Sequence, residues 1–151
     1  MPIAHAQENS IRNPFRDAGA KPQWAQLTRL GGDRVAILFE DLRSQISGIN
    51  GLVEELYFNG PEEGWLPRYR VGDQVLLTVQ VLPGCLTAMI ELDEGLAKNL
   101  LNSPNEAGRI KAWLRPVAIR EGIALLRARL TSRAHTRSLT KLLLKVHRGH
   151  V

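Results

Sequence analysis

Apolar residues recur along residues 33–48 with the spacing of an α-helix. They stand three or four positions apart, at Val35, Leu38, Leu42 and Ile46. This stripe predicts a helix with one buried side. We expect Asp33 to cap its N-terminus, because a carboxylate can accept a backbone N–H of the first turn, and Gly48 to end it. Upstream, residues 21–32 predict a short helix or turn closed by a glycine pair.

The pattern changes to that of β-strands after residue 50. Four segments rich in β-branched and aromatic residues follow one another, at 51–59, 65–71, 74–82 and 85–92. Gly72-Asp73 is a two-residue hairpin turn, since glycine adopts positive φ without steric cost. Pro67 cannot donate to a ladder, so we expect its strand to lie at an edge or to be irregular there.

The chain after Leu92 is mainly helical in pattern. Helices are predicted over 93–103, 104–116 and 137–149. Residues 121–132 fit two structures. Helical spacing relates Leu125, Leu126 and Arg129, and local propensity favours this helix. As a strand, the same stretch would place one set of side chains on a single face, namely Ala124, Leu126, Ala128 and Leu130.

Strands joined by short turns pair antiparallel, and the helical patterns lie before and after them. The sequence therefore predicts an α+β fold, with an antiparallel meander of about four to five strands and helices packed on one face. The length of 151 residues suits a single domain, which we place at 21–151. Residues 1–20 are polar and aperiodic, and we expect them to form a flexible tail.

Charge is distributed unevenly along this chain. Residues 1–108 hold 9 Lys/Arg and 14 Asp/Glu, whereas residues 109–151 hold 11 Lys/Arg and one acid. Cations recur every three or four positions on the last predicted helix, at Arg133, Arg137, Lys141, Lys145 and Arg148. Such a stripe, about 20 Å long, is expected either to be a solvated face that balances the acidic half or to contact nucleic acid or another acidic partner.

Aromatic residues cluster in the first hairpin although only 5% of the chain is aromatic. If residues 52–58 and 65–70 pair, we expect Tyr57, Trp65 and Tyr69 to share one face of the sheet. That face is either core beneath the helices or a patch for a planar ligand. The residues expected to bind ligand in the second case are Glu55, Tyr57, Trp65, Tyr69 and Arg70.

Catalytic and metal-binding patterns are weak in this sequence. His147 and His150 are three residues apart but lack a third ligand nearby, and Glu54 and Glu55 would point to opposite faces of a strand. Cys85 has no basic neighbour, and a single cysteine suits a reducing, cytoplasmic location. We find no apolar run of membrane-spanning length and expect no membrane segment, catalytic residue, metal or cofactor.

The hairpin region resembles a bacterial family, domain-of-unknown-function family 3788. The matching positions are Glu55, Tyr57, Gly64, Trp65, Arg70 and Pro83. The C-terminal part is similar in Glu121-Gly122, in the segment 123–131 and in the run 142–145. The resemblance implies a strand at 122–131 and a shape akin to the frataxin-like, YjbR-type α+β domains, some of which are thought to bind DNA. It implies no reaction.

These patterns together predict a binding or accessory protein rather than an enzyme. Its ligand or protein partner would contact the sheet face around Trp65. The alternative is a nucleic-acid-binding module that uses the basic helix from Arg133 to Arg148. An enzyme is the least supported of the three classes, and the sequence leaves the partner and the oligomeric state open.

Overall fold

A computed structural model describes residues 12–148 and contains one antiparallel sheet of six strands in the order β1-β2-β3-β4-β6-β5. The strands are β1 Leu52–Phe58, β2 Trp65–Val71, β3 Gln74–Leu82, β4 Cys85–Asp93, β5 Ile119–Arg120 and β6 Ile123–Leu130. The helices are α1 Trp24–Thr28, α2 Asp33–Ile46, α3 Gly60–Glu63, α4 Glu94–Asn102, α5 Gly108–Leu114 and α6 Arg133–Arg148. A 3-10 turn follows α1 at Arg29–Gly31. The expected α+β class is confirmed, with slightly more strands than predicted.

The meander from β1 to β4 follows the predicted turns. Gly72 adopts φ +57° in the Gly72-Asp73 turn between β2 and β3. The ladder between these strands contains a bulge, because Arg70 pairs with Val75 whereas Tyr69 pairs with Leu77. Pro67 lies where β2 pairs with β1 alone, since the ladder to β3 begins at Arg68. Its missing N–H therefore breaks no bond to β3.

Residues 123–130 are a strand, although local propensity favours a helix there. β6 pairs with β4 along its whole length, from Leu130 opposite Leu86 to Ile123 opposite Asp93. The side chains of β6 alternate between exposed and buried. Because this alternation places every second apolar side chain in the core, sheet pairing and burial outweigh the local preference.

The hydrophobic core lies between one face of the sheet and the longer helices. Phe39 and Leu42 of α2 and Leu142 of α6 are fully buried in it, against the inward side chains of the central strands. Those strand residues are Leu77, Val79, Val81, Leu86, Ala88, Ile90, Leu126 and Ala128. The helices thus cover one face of the sheet and leave the other open.

Two local predictions need correction. Gly32, at φ +88°, is the N-cap of α2, and Asp33 is the first helical residue and makes no side-chain cap. Glycine occupies this cap because the chain enters the helix at positive φ. A carboxylate cap is found at α4 instead, where Asp93 Oδ2 accepts a hydrogen bond of 3.0 Å from the Gly95 N–H.

The segment predicted as a flexible tail over residues 1–20 is partly anchored on the sheet. Asn13 is buried, and its Nδ2 donates to the carbonyls of Glu63 at 3.1 Å and Trp65 at 2.8 Å. The Trp65 indole N–H in turn donates to the Asp17 carbonyl at 2.9 Å. The prediction is therefore wrong for residues 13–17, whose polar groups bind the β1–β2 hairpin; residues 1–11 lie outside the described part.

Truncation of two adjacent leucines in β6 tests this one-sided burial. Leu126 is fully buried, whereas Leu125 on the opposite face is 44% exposed. We expect Leu126→Ala to lower the free energy of unfolding by about 2–5 kcal/mol because it leaves a cavity in the core. Leu125→Ala is expected to change it by less than about 1 kcal/mol. Urea unfolding followed by circular dichroism measures both; equal losses would contradict a strand here.

Candidate functional site on the open face of the sheet

The strand register identifies the residues that lie on the uncovered face. One row of directly opposite residues crosses five strands: Glu55, Arg68, Thr78, Met89 and Arg127. Directly opposite residues share a face, and their neighbours Tyr69, Leu77 and Val79 are in the helix-covered core. We call the face that carries this row the open face.

Large apolar side chains concentrate on the open face. Within residues 12–148, seven such side chains are exposed, and the register places five of them here: Val53, Tyr57, Val75, Ile123 and Leu125. The other two are Ile37 on α2 and Ile119 in β5. Single exposed apolar residues are ordinary on protein surfaces, but a group on one sheet face is typical of an interaction site.

A hollow of about 280 Å³ lies on the open face. Its lining combines apolar and charged side chains: Tyr57, Asn59, Glu63, Arg68, Val75, Leu76, Leu77, Thr78, Met89, Glu91, Leu125 and Arg127. Leu76 and Met89 are themselves buried, whereas Tyr57 and Leu125 are exposed. The hollow therefore has an apolar floor and an amphipathic wall.

Arg68 is held on the β1 side of the hollow by two neighbours. Its guanidinium carbon lies 3.8 Å from the centre of the Tyr57 ring, and its Nη2 lies 3.4 Å from Glu55 Oε1. The same Glu55 oxygen accepts a hydrogen bond of 2.5 Å from Arg70 Nε. Arg68 Nε is buried and has no acceptor among the described residues.

Glu55 carries a stabilised negative charge between the two arginines. Burial acts to raise its pKa, but the hydrogen bond from Arg70 and the charges of both arginines outweigh burial and lower the pKa. One carboxylate therefore offsets part of the charge of Arg68 and Arg70. On β6, by contrast, Arg127 and Arg129 are exposed and form no ion pair within the described residues.

The five predicted ligand residues are divided between the two faces. Glu55, Tyr57 and Arg70 lie on the open face, whereas Trp65 and Tyr69 lie on the helix-covered face. The expectation that Tyr57, Trp65 and Tyr69 share one face is wrong, because the register sets Trp65 opposite Phe58 and Tyr57 opposite Leu66. The core interpretation fits Tyr69, which is 1% exposed.

Trp65 is covered by the N-terminal segment rather than open to a ligand. Its indole N–H is bonded to the Asp17 carbonyl, and its ring contacts Phe58 with centroids 5.5 Å apart. The ammonium group of Lys21 lies 5.8 Å from the ring centre. The Trp65 indole is thus an anchor between residues 13–21 and the hairpin.

A polar cluster that was not predicted joins α2 to the hairpin. Arg43 donates to both carboxylate oxygens of Glu54 at 2.7 Å, and the Tyr69 hydroxyl donates to the same carboxylate at 2.8 Å. Burial acts to raise the pKa of Glu54, but these hydrogen bonds outweigh it and lower the pKa. Burial, together with the bond to Glu54, raises the pKa of Tyr69 far above its ordinary value. The cluster is a structural clamp.

The basic stripe lies on the outer side of α6, as expected. Leu139, Leu142, Leu143 and Val146 are buried, and four of the five predicted cations are exposed, namely Arg133, Arg137, Lys141 and Arg148. Lys145 is half-buried and forms an ion pair with Glu106. Arg133 lines a shallow depression together with Glu40 and Asp41 of α2. Arg133 and Lys145 of the stripe are therefore next to acidic residues.

The described chain contains no group of side chains that could hold a metal ion. Among residues 12–148 there is no group of three His, Cys, Asp or Glu side chains arranged to hold a metal ion. Cys85 Sγ lies 3.5 Å from the Thr87 hydroxyl, and His150, predicted as half of a weak pair, is outside the described residues. Nor does this part of the chain contain a helix long and apolar enough to cross a membrane.

The chain matches no protein-family model, no curated protein and no solved structure. The similarity to family 3788 and to the frataxin-like domains therefore stays a prediction. The candidate site rests on the geometry of the open face, and the signal that locates it is the strand register. The register of β1 against β2 depends on the residue at which β2 begins. The residue pattern alone leaves that starting residue uncertain by one position.

Neutralising Glu54 tests the clamp between α2 and the hairpin. Its pKa in the folded protein lies below the ordinary 4.5, so its stabilising effect is present above that value and is lost as pH falls through the lowered pKa. We expect Glu54→Gln to lower the free energy of unfolding by about 1 kcal/mol near neutral pH, and by less in acid. Urea titrations at about pH 7 and about pH 3 measure the difference. Glu62→Gln, an exposed acid with no ion pair in the described chain, is the control.

Proposed function

We propose that this protein is a non-catalytic binding domain that receives a segment of another protein on the open face of its sheet. The observation that carries this function is a hollow with an apolar floor, on a sheet face that the longer helices leave uncovered. Five exposed apolar side chains surround or flank it. A partner that covers these side chains would gain about 25 cal/mol of binding free energy for each Å² of apolar surface removed from water.

The proposed binding face does not include Trp65. Trp65 and Tyr69 serve the helix-covered side and the N-terminal segment, so neither offers a free ring to a ligand. On the open face, the side chains that line the hollow include Tyr57, Met89 and Leu125. Of the predicted ligand residues, Glu55, Tyr57 and Arg70 stay in the proposed site.

The charges around the hollow favour a protein segment with apolar residues flanked by acids. Arg127 and Arg129 on β6 have no ion-pair partner in the described chain and would attract carboxylates. Nucleic acid fits this face less well, because the one exposed aromatic ring among the described residues, Tyr57, is already covered by Arg68 and offers no free surface on which a base could stack.

Recognition in this arrangement divides between the floor and the rim of the hollow. An apolar side chain of the partner would bury itself over Met89 and Leu76, gaining about 1.5–3 kcal/mol. A carboxylate or carbonyl of the partner would meet the exposed guanidinium of Arg127 at the rim. The floor would supply most of the affinity, and the rim would set the orientation of the segment.

Selection of peptides from a random displayed library tests this function. We expect immobilised protein to enrich peptides that combine large apolar residues with Asp or Glu. Synthetic versions of these peptides should bind Leu125→Asp and Arg127→Glu at least about tenfold more weakly than wild type, as measured by fluorescence anisotropy. Both substitutions are at exposed positions on β6, so the fold should tolerate them.

Ile37→Asp is the matched control, because Ile37 is 58% exposed on α2, away from the open face. Its affinity for the selected peptides should equal that of wild type within about twofold. Failure to enrich any peptide, or equal binding by wild type and Leu125→Asp, would show that the open face is not the site. Cross-peaks of open-face amides that shift on peptide addition would locate the contact directly.

A further inference from the structure

A second surface, on the opposite side of the molecule, carries cations that have no acidic partner. Arg137, Lys141 and Arg148 are exposed on α6. They are separated by four and seven residues, so they lie on the side of the helix away from the buried leucines. None of the three forms an ion pair within residues 12–148.

Arg109 of α5 extends this surface across the neighbouring helix. Its Nη1 lies 3.5 Å from the hydroxyl of Ser138, which is three residues, or about one turn, before Lys141. Burial is the main cause of the lowered pKa of His135 on α6, and the positive charge of Arg109 lowers this pKa further. Arg109 therefore lies beside α6 rather than pointing away from it. We call Arg109, Arg137, Lys141 and Arg148 the cationic surface.

Two cations of the predicted stripe do not belong to it. Lys145 is engaged by Glu106, and Arg133 borders the depression that Glu40 and Asp41 also line. Their charges are offset locally, so they add little to the field outside the protein. Arg137 and Lys141 are like charges four residues apart, which costs a helix about 0.2–0.5 kcal/mol. That cost is recovered only when an anion binds.

We propose that the cationic surface binds the phosphate backbone of double-stranded nucleic acid. Arg137 and Arg148 are 11 residues apart, which corresponds to about 16 Å along the helix, and one strand presents a phosphate about every 3.4 Å of duplex axis. Binding is electrostatic and independent of sequence.

Anionic lipid fits the same surface less well. Most apolar side chains of α6 are turned into the core, where Leu139, Leu142 and Leu143 are buried, and Leu144 is partly buried against it. An amphipathic helix that binds a bilayer needs its apolar side free to enter the interface. The cationic surface also lies across the sheet from the open face, so it works independently of the peptide site.

Binding of a fluorescein-labelled duplex DNA of mixed sequence, across a salt series, tests this inference. For wild type we expect a dissociation constant in the micromolar range at about 50 mM salt, with a log–log salt slope of about −3 to −4 for four phosphate contacts. Arg137→Gln with Lys141→Gln should weaken binding at least tenfold at this salt concentration. It should also reduce the steepness of the slope by about 2.

A matched control removes the same net charge elsewhere. Arg16→Gln with Arg34→Gln changes two exposed arginines that lack ion pairs in the described residues, and should leave affinity within about twofold of wild type. Circular dichroism and thermal unfolding verify that both double variants are folded. An equal loss in the two variants would mean a response to net charge alone and would overturn the site.

Two further outcomes contradict a duplex-binding surface. One is the absence of DNA binding by wild type at about 50 mM salt. The other is that wild type binds vesicles of phosphatidylserine and phosphatidylcholine but does not bind DNA, and that the Arg137→Gln, Lys141→Gln double variant no longer binds these vesicles. Because the Leu125→Asp variant keeps the cationic surface, its DNA affinity should equal that of wild type whatever happens to the peptides.

Discussion

The pairing of β6 with β4 is the contact on which the rest of the structure depends. It returns the chain to the sheet, beside β4, after two helices and lets α6 pack between α2 and α5. Every second residue of β6 enters the core by this pairing, and the residues between them, such as Leu125 and Arg127, must face the other way. The core and the open face therefore arise from the same ladder.

Most of the fold follows from local patterns. Turn chemistry located the Gly72-Asp73 hairpin, and apolar spacing located α2 and α6 to within a few residues. The residue pattern of 123–130 is compatible with both a helix and a strand. Its alanines and leucines favour a helix, and only pairing with β4 decides for the strand. Local propensity contains no information about that partner.

The candidate site was less predictable than the fold, because successive side chains of a strand alternate between the two faces of the sheet. A shift of one residue in the β1–β2 register exchanges the two faces, so the placement of Tyr57 depended on a detail that the pattern does not fix. The Arg43–Glu54–Tyr69 clamp joins residues 11 to 26 positions apart and has no local signature. The cations of α6 were visible in the sequence, but their acidic neighbours Glu106 and Glu40 were not.

The two edges of the sheet differ in how a further strand could join them. At one edge β5 has two residues and pairs with Ile123 and Ala124 alone, so the rest of β6 has no strand partner on that side among the described residues. At the other, β1 has adjacent carboxylates at Glu54 and Glu55 in its centre, a feature that discourages strand addition. On the β1 side, a partner is thereby directed to side-chain contacts on the face and away from backbone pairing. The acids of β1 thus also hinder two copies of this protein from joining their sheets through this edge.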